Sequence, residues 1–433
     1  MFLMKNDVFW DRHEELKRIR RFTATRGFGF ITGRRRIGKT ALLKRACEEA
    51  GGFYHQAVEG TAEQQLLHLT EEIRDGLPLF RDVSPKTWAE FFRLLSKEKL
   101  PKLLIFDEFP YWAQGDPSLP SVLQKWVDHD LPKSRSALLV SGSSQSMLNS
   151  HFLNREAPLY GRASLHLRLS PLSYKWFCRA LGFKAADPSS FTRFSLVGGV
   201  PHYWKLMPKG NLIDQMEALF FQPSAILSEE PGHWLRDEGI TGTLPKAILD
   251  LIGRGVTKPS ELAGRLGVPQ GHLPRPLAVL LELGFIRREF PFGESARSSK
   301  RVHYSVQDPA LSFFYGTYLP HRHRWEGLKA RDKEIFLTQH TSRQWENYCR
   351  SQYPGANRYW EGNIEIDLVA RMTEKEEYLV AECKWKKLDE REETSLLADL
   401  KVKFQNTRLA KKIRSVKFKI LSQPNLASLK RPA

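Results

Sequence analysis

The chain has 433 residues and a formal net charge of +18, from 67 Lys and Arg against 49 Asp and Glu. That length exceeds one ordinary hydrophobic core, so we expect about two to four domains. So large a basic surplus favours a polyanionic partner, with nucleic acid the expected one, and it disfavours a signalling scaffold that never meets nucleic acid. A charge that serves only solubility is the alternative.

The cysteines and the apolar segments indicate the cellular compartment in which the protein is expected. Cys47, Cys178, Cys349 and Cys383 are far apart and form no C-x-x-C pair, which is typical of a reducing compartment and gives no structural zinc site. No apolar run approaches the roughly twenty residues of a membrane span, and the N-terminal residues lack a signal-peptide core. We therefore expect a cytoplasmic protein with no membrane contact.

In chain order, an amphipathic helix at residues 9–22 leads to the glycine-rich stretch GRRRIGKT at residues 33–40. This stretch fits the phosphate-loop pattern G-x-x-x-x-G-K-[ST], with a predicted strand at residues 28–32 before it and a predicted helix at residues 41–50 after it. Backbone N–H groups and the positive helix end would face nucleotide phosphates, with Lys39 on the β- and γ-phosphates and Thr40 on Mg²⁺. A glycine loop with a structural role only is the alternative. The residues expected to bind nucleotide are Gly33, Arg34, Arg36, Ile37, Gly38, Lys39, Thr40 and Ala41.

An acidic strand end follows at residues 103–108, LLIFDE. The continuous apolar run predicts a buried parallel strand, and ligands bind at the carboxyl ends of such strands. Asp107 is therefore expected in the Mg²⁺ shell, and Glu108 is expected to polarise the attacking water. Ordinary surface acids after a buried strand are the alternative.

The segments between these motifs predict further elements of the same sheet. We expect a strand at residues 51–55, helices at 62–77, 88–95 and 121–126, and a strand at 137–140. The last strand ends in SGSS, where Ser143 could contact the γ-phosphate or the water; a simple Ser/Gly turn is the alternative.

The order of these motifs, with PLYGR at 158–162, LSPLS at 169–173 and VGGVPHY at 197–203, resembles the archaeal and bacterial AAA-type ATPases related to the STAND class. The resemblance implies an α/β fold, in which a P-loop NTPase parallel sheet and a helical lid fill residues 1–235. It also implies ATP as the nucleotide, Ser143 at the sensor position, and Arg162 as a group that senses or stabilises the charge of the γ-phosphate. A solvated arginine is the alternative for Arg162.

In residues 236–308, apolar residues at helical spacing are followed by two predicted strands around the loop at 293–300. This order predicts a winged helix. A basic face for DNA phosphates is expected, and neutralising Arg287, Arg288 and Arg301 should lower the salt dependence of DNA binding. A winged helix that contacts only protein is the alternative, because Pro274 and Pro276 lie where a recognition helix should run. The basic residues of this face are Arg275, Arg287, Arg288, Arg297, Lys300 and Arg301.

A linker at residues 309–330 is expected before an α/β domain at 331–433, which resembles the PD-(D/E)XK nuclease-like domain that commonly follows this ATPase family. The strand at 378–385 places Glu382 and Lys384 on one face, and the strand at 364–370 carries Asp367. The resemblance implies Mg²⁺ on Asp367 and Glu382, water or phosphate on Lys384, and Glu346 as a further acid. A solvent-open strand face is the alternative.

The whole sequence therefore predicts an ATP-hydrolysing P-loop protein coupled to a DNA-binding, metal-dependent nuclease-like domain. A nucleotide-switched DNA-binding or assembly protein with an inactive nuclease fold is the alternative, and a homo-oligomeric state stays open. Residues 401–419 are rich in Lys and Arg; they could line a nucleic-acid groove or form a solvated helix face.

Overall fold

A computed structural model describes residues 10–144, 146, 149–295, 299, 301–372 and 377–427. The chain forms two compact units, and both are discontinuous in sequence. The first comprises Met1–Leu172, Val200–His202 and Trp234–Gly239, and the second comprises Ser173–Gly199, Tyr203–His233 and Ile240–Ala433. Most of the expected lid thus groups with the second unit, and the division into an ATPase, a winged helix and a nuclease-like domain stays a prediction.

The first unit is built on a parallel sheet of five strands in the order β2-β3-β4-β1-β5. β1, β3 and β4 are buried along their whole length, as expected of parallel strands that are covered on both faces. The predicted α/β class with a P-loop parallel sheet is confirmed. The strands are β1 (Phe28–Thr32), β2 (Phe53–Gln56), β3 (Leu103–Asp107), β4 (Ala137–Gly142) and β5 (Ala163–Arg168).

Helices cover both faces of this sheet. Ala62–Ile73 begins with a capping box, in which Thr61 accepts from the N–H of Gln64 and the Gln64 side chain accepts from the N–H of Thr61. Phe106 packs against Trp112 on one face, and Ile105 lies in the apolar cluster of the other face. The helices are His13–Thr25, Lys39–Ala50, Ala62–Ile73, Leu79–Asp82, Trp88–Leu95, Phe109–Gly115 and Leu119–His129, with a 3-10 turn at Leu131–Lys133 and a π-turn at Asn149–Leu153.

A run of helices follows, and the last three of them lie in the predicted winged helix. Pro274 and Pro276 lie in the first turn of Pro274–Glu282, where backbone N–H groups have no intrahelical partner, so the prolines do not interrupt this helix. The helices are Tyr174–Leu181, Pro188–Val197, Pro201–Lys205, Leu212–Phe220, Ile226–Asp237, Thr243–Gly253, Pro259–Leu266 and Pro274–Glu282, with a 3-10 turn at Gln270–His272.

β6 (Ile286–Glu289) and β7 (His303–Val306) then pair antiparallel, which completes the element order expected of a winged helix. The next segment differs from the expected linker. Pro309–Phe313, the π-turn Phe314–Tyr318 and Leu319–His321 form a helical run in which Phe313 is fully buried. Its aromatic residues need apolar neighbours, so the start of the segment packs into the second unit instead of spanning solvent.

The last part of the chain forms a mixed sheet in the order β11-β10-β9-β8. β8 (Asn357–Glu361), β9 (Ile364–Arg371) and β10 (Glu377–Cys383) pair antiparallel, and β11 (Ser415–Leu421) runs parallel to β10. The helix Ala330–Ser351 precedes β8, the helix Glu390–Gln405 connects β10 to β11, and the 3-10 turn Gln423–Ala427 follows.

Candidate functional site

The phosphate loop is shaped at both ends by glycine. Gly38 has φ +98° and forms the N-cap of the helix Lys39–Ala50, a conformation that side chains disfavour. A Cβ at Gly33 would lie 3.1 Å from Cβ of Leu169, so the loop passes close to the chain beyond β5. Nζ of Lys39 donates to the carbonyl oxygens of Gly33 at 2.7 Å and Arg34 at 3.1 Å. Burial lowers the pKa of Lys39, while the charges of Glu108 and Asp107 oppose that shift.

Asp107 lies fully buried at the end of β3 and accepts hydrogen bonds from the polar groups around it. Its Oδ2 accepts from the hydroxyls of Thr40 at 2.8 Å and Tyr54 at 2.9 Å. Its Oδ1 accepts from the hydroxyl of Ser141 and, at 3.0 Å, from the backbone N–H of Glu108. Sequence reasoning missed Tyr54 and Ser141, which the parallel register of β2 and β4 brings beside β3.

Glu108 directly follows Asp107 and has a left-handed backbone conformation, with φ 55°. Its side chain therefore does not continue the alternation of the strand. Its Oε2 accepts from both the backbone N–H and the hydroxyl of Ser143 at 3.0 Å. Burial is the main cause that raises the pKa of Glu108; Lys39 opposes the rise and Asp107 adds to it. Ser143 thus lies beside the predicted water-activating acid, and its contact with phosphate stays a prediction.

A second acidic site lies on the mixed sheet. The antiparallel ladder ends at the pair of Ala381 and Leu368, and Glu382 and Asp367 are the next residues of the two strands, so these two acids lie next to each other. Oδ2 of Asp367 accepts from the N–H of Cys383 at 2.8 Å. Burial and then the charge of Glu382 raise the pKa of Asp367. The structure therefore brings together two of the predicted metal ligands.

Glu382 has its two carboxylate oxygens in different surroundings. Oε1 accepts from Nζ of Lys384 at 2.9 Å and of Lys403 at 3.4 Å. Oε2 is buried and has no hydrogen-bond partner among the described residues. The side chain of Glu382 is only 9% exposed, which is not the solvent-open face of the alternative interpretation.

Glu346 approaches this pair from the helix Ala330–Ser351. Burial and then the charge of Asp367 raise the pKa of Glu346 to about 7, and Arg350 lies 4.0 Å from its carboxylate. Across the described parts of the chain, no group of three or more His, Cys, Asp or Glu side chains is arranged to hold a metal ion. The facing pair of Asp367 and Glu382 still suits Mg²⁺, which often takes only one or two protein carboxylates together with substrate phosphates.

Comparison with known proteins places the phosphate loop and Asp107 within a known family of domains. Residues 9–204 match a family described as an ATPase domain found predominantly in Archaea. The chain contains an ATPase domain. Residues 331–396 match a second family, described as archaeal and bacterial proteins of unknown function. The predicted combination of an ATPase domain with a separate C-terminal family domain is confirmed, whereas the nuclease-like character of that C-terminal domain stays a prediction.

Two further comparisons show proteins that are similar to this chain. A protein of Methanocaldococcus jannaschii, described as uncharacterised, is 27% identical over 420 residues, which cover 91% of this chain and 91% of that protein. The Walker-type ATPase of Pyrococcus abyssi matches with a TM-score of 0.52 and 17% identity, over 71% of this chain and 96% of that chain, which shows a shared fold. None of the described helices combines the length and the apolar character needed to cross a membrane.

Arg162 is not part of the ATPase site of its own chain, contrary to the prediction. The register pairs Phe28 with Ala163, so Arg162 lies at the amino ends of β1 and β5, whereas the phosphate loop follows the carboxyl end of β1. Nε of Arg162 donates to both carboxylate oxygens of Asp128, at 2.7 and 3.0 Å. The strand direction therefore separates this arginine from the γ-phosphate position.

Sequence reasoning also missed a segment that returns to the ATPase domain, Trp234–Gly239, here called the return segment. The guanidinium of Arg34 stacks over Trp234 at 3.9 Å, and Arg35 forms an ion pair with Asp237 at 2.9 Å. Glu238 accepts from the backbone N–H of Ser146 at 3.0 Å. One short segment thus holds both the phosphate loop and the loop after β4.

Two of the four described residues of the predicted basic face of the winged helix make intramolecular contacts. Arg287 donates to Glu289 at 2.7 Å and to Asn347, and Arg301 donates to the carbonyl of Trp360 at 2.8 Å and to Glu294. Arg275 and Arg288 are exposed, whereas Arg297 and Lys300 lie outside the described residues. The contacts of Arg287 argue against a role as a phosphate ligand, whereas a contact of the exposed Arg301 with DNA phosphates stays a prediction.

Proposed function

We propose that this ATPase acts on DNA and that its second unit contains a metal-dependent nuclease site formed by Asp367, Glu382, Lys384 and Glu346. The observation that carries this proposal is the buried, unpartnered Oε2 of Glu382 opposite Asp367. An isolated buried carboxylate oxygen is costly, and a bound cation would offset both that cost and the repulsion between the two acids.

In the ATPase site, Lys39 would bind the β- and γ-phosphate oxygens of ATP once these replace its contacts with the loop carbonyls. Mg²⁺ would be held by Thr40 and Asp107 and would neutralise charge on the phosphates. Glu108, oriented by Ser143, would align the attacking water.

In the nuclease-like site, Asp367 and Glu382 would hold Mg²⁺, which when bound polarises a phosphoryl oxygen and activates water. Lys384 already contacts Glu382 and would bind the scissile phosphate or orient the water beside it. The raised pKa of Glu346 supports a role as the further acid near Asp367.

The test is cleavage of plasmid and linear DNA by the purified full chain, with Mg²⁺, Mn²⁺ or EDTA, and with or without ATP. We expect metal-dependent cleavage that Asp367→Ala and Lys384→Ala abolish, while ATP hydrolysis is unchanged. Asp399→Ala, which removes an exposed carboxylate from the helix Glu390–Gln405, is the matched control and should cut normally. Cleavage that survives both site substitutions would refute the nuclease assignment.

The same assay distinguishes the alternative function. If the wild type hydrolyses ATP and binds DNA but cuts no DNA with either metal, the chain is a nucleotide-switched DNA-binding protein with an inactive nuclease fold. Lys39→Ala, which should lose phosphate binding, and Glu108→Gln, which should retain ATP but lose turnover, then show whether ATP binding or hydrolysis controls the DNA-directed activity.

A further inference from the structure

We infer that residues 401–419, here called the basic segment, form the surface that binds the phosphate backbone of duplex DNA next to the nuclease-like site. This inference rests on the proposed function, since it names where the DNA substrate of that site binds. The segment contains no Asp or Glu. Its basic residues are Lys401, Lys403, Arg408, Lys411, Lys412, Arg414, Lys417 and Lys419.

The charges of the basic segment point to solvent. All of its Lys and Arg residues except Lys403 are exposed. Lys403 contacts Glu382, and Arg408 forms an ion pair with Glu361 at 2.8 Å. Among the described residues, the remaining basic side chains of the segment form no ion pair. Their charge is therefore free to replace the counterions of a polyanion.

The fold explains how the segment stays exposed. It contains the end of the helix Glu390–Gln405, the loop beyond it and most of β11, which is an edge strand. Along β11, Val416, Phe418 and Ile420 pack into the apolar cluster with Phe404, so the alternating Lys417 and Lys419 project from the other face. Lysines on an edge strand also prevent sheet-to-sheet pairing, but that need does not explain the cations in the loop.

Lys403 connects the segment to the acidic site. It belongs to the basic segment in sequence, and its Nζ lies 3.4 Å from Oε1 of Glu382, the residue with the unpartnered Oε2. A backbone held by the neighbouring cations would thus have a phosphate near Asp367 and Glu382. In the predicted wing, Arg287 and Arg301 already donate to groups of this chain, whereas Lys411, Lys412 and Arg414 form no ion pair among the described residues.

The experiment measures fluorescence anisotropy of a short labelled DNA duplex of mixed sequence with the full chain. EDTA is present so that nothing is cut, and salt is varied between about 50 and 200 mM. The variant is Lys411→Gln with Lys412→Gln and Arg414→Gln. If all three side chains contact phosphates, the slope of log affinity against log salt should fall by about 2 to 3, and affinity at low salt should fall at least tenfold.

The matched control is Lys97→Gln with Lys99→Gln and Lys102→Gln, which removes the same charge from exposed positions of the first unit. It should keep the wild-type slope. The inference is overturned if the segment variant keeps the wild-type slope, or if the control loses as much, because then only net charge matters. Those results leave the proposed function standing, whereas wild-type protein that binds no duplex would refute the proposed function itself.

Discussion

Ser143 donates two hydrogen bonds, from its backbone N–H and its hydroxyl, to the same oxygen of Glu108, each at 3.0 Å. This arrangement leaves Oε1 of Glu108 as the oxygen that can face the attacking water. The loop after β4 thereby fixes the acid at the end of β3, and the two strands are neighbours in the sheet.

The first prediction concerns this contact. Ser143→Ala should lower kcat for ATP hydrolysis about tenfold or more, because a hydrogen bond to a charged group is worth about 1.5–3 kcal/mol. The KM for ATP should change little, since Ser143 orients Glu108 and does not hold the phosphates of the ground state. Ser143→Thr, which keeps the hydroxyl, should recover most of the rate in a coupled ATPase assay. Equal rates for wild type and Ser143→Ala would contradict this role.

The second prediction concerns the return segment. Glu238→Ala removes the acceptor for the N–H of Ser146, so the loop that carries Ser143 should become less well ordered. We expect kcat for ATP to fall several-fold and Glu238→Gln, which keeps an acceptor oxygen, to retain most of the activity. Glu229→Ala, an exposed acid of the helix Ile226–Asp237 that precedes Glu238, is the control. Identical kinetics for Glu238→Ala and the control would show that the segment does not influence the ATPase site.

The third prediction tests whether Arg287 stabilises the fold or binds DNA. Arg287→Gln should lower the free energy of unfolding by about 2 kcal/mol, because Glu289 and Asn347 lose a partner in a mostly buried setting. The neighbouring exposed Arg288→Gln should change it by less than about 0.5 kcal/mol. Urea unfolding measures both values. In the DNA assay Arg287→Gln should keep the wild-type salt slope, and a clear fall in that slope would restore Arg287 as a phosphate ligand.

The fourth prediction is a pH dependence of stability that comes from His340. Burial lowers its pKa to about 3, while Nε2 lies 2.7 Å from the carbonyl oxygen of Ser195. Between pH about 6.5 and 3 only the unfolded chain binds a proton at this histidine. The stabilisation that comes from the neutral His340 of the folded state is therefore fully present above about pH 6.5 and is lost as pH falls. Acidification from pH 7 to pH 5 should lower the free energy of unfolding by about 2 kcal/mol through this histidine.

Urea unfolding of wild type and His340→Gln at both pH values isolates this term. The variant should lose about 2 kcal/mol less than the wild type on acidification, because all other groups titrate alike in both proteins. The same loss in both proteins would mean that His340 can be protonated in the folded state.

The sequence by itself predicted features that depend on neighbours along the chain. The strand Phe28–Thr32 and the helix Trp88–Leu95 have the predicted bounds, because apolar runs and a Thr cap act within a few residues. The phosphate loop is also local, since its glycines, Lys39 and Thr40 are contiguous. Asp367 and Glu382 could be paired in advance because alternation along two consecutive strands fixes which side chains share a face.

Contacts between distant segments needed the tertiary structure. Tyr54 and Ser141 reach Asp107 only through strand order and register, and Trp234–Gly239 reaches the phosphate loop from about two hundred residues away along the chain. Strand direction decided against Arg162 at the γ-phosphate, because residues before a parallel strand lie at the edge of the sheet opposite to the ligand site. A basic residue carries the same charge wherever it lies, so only its neighbours in the fold decide between an internal ion pair, as for Arg287, and solvent, as for Lys411.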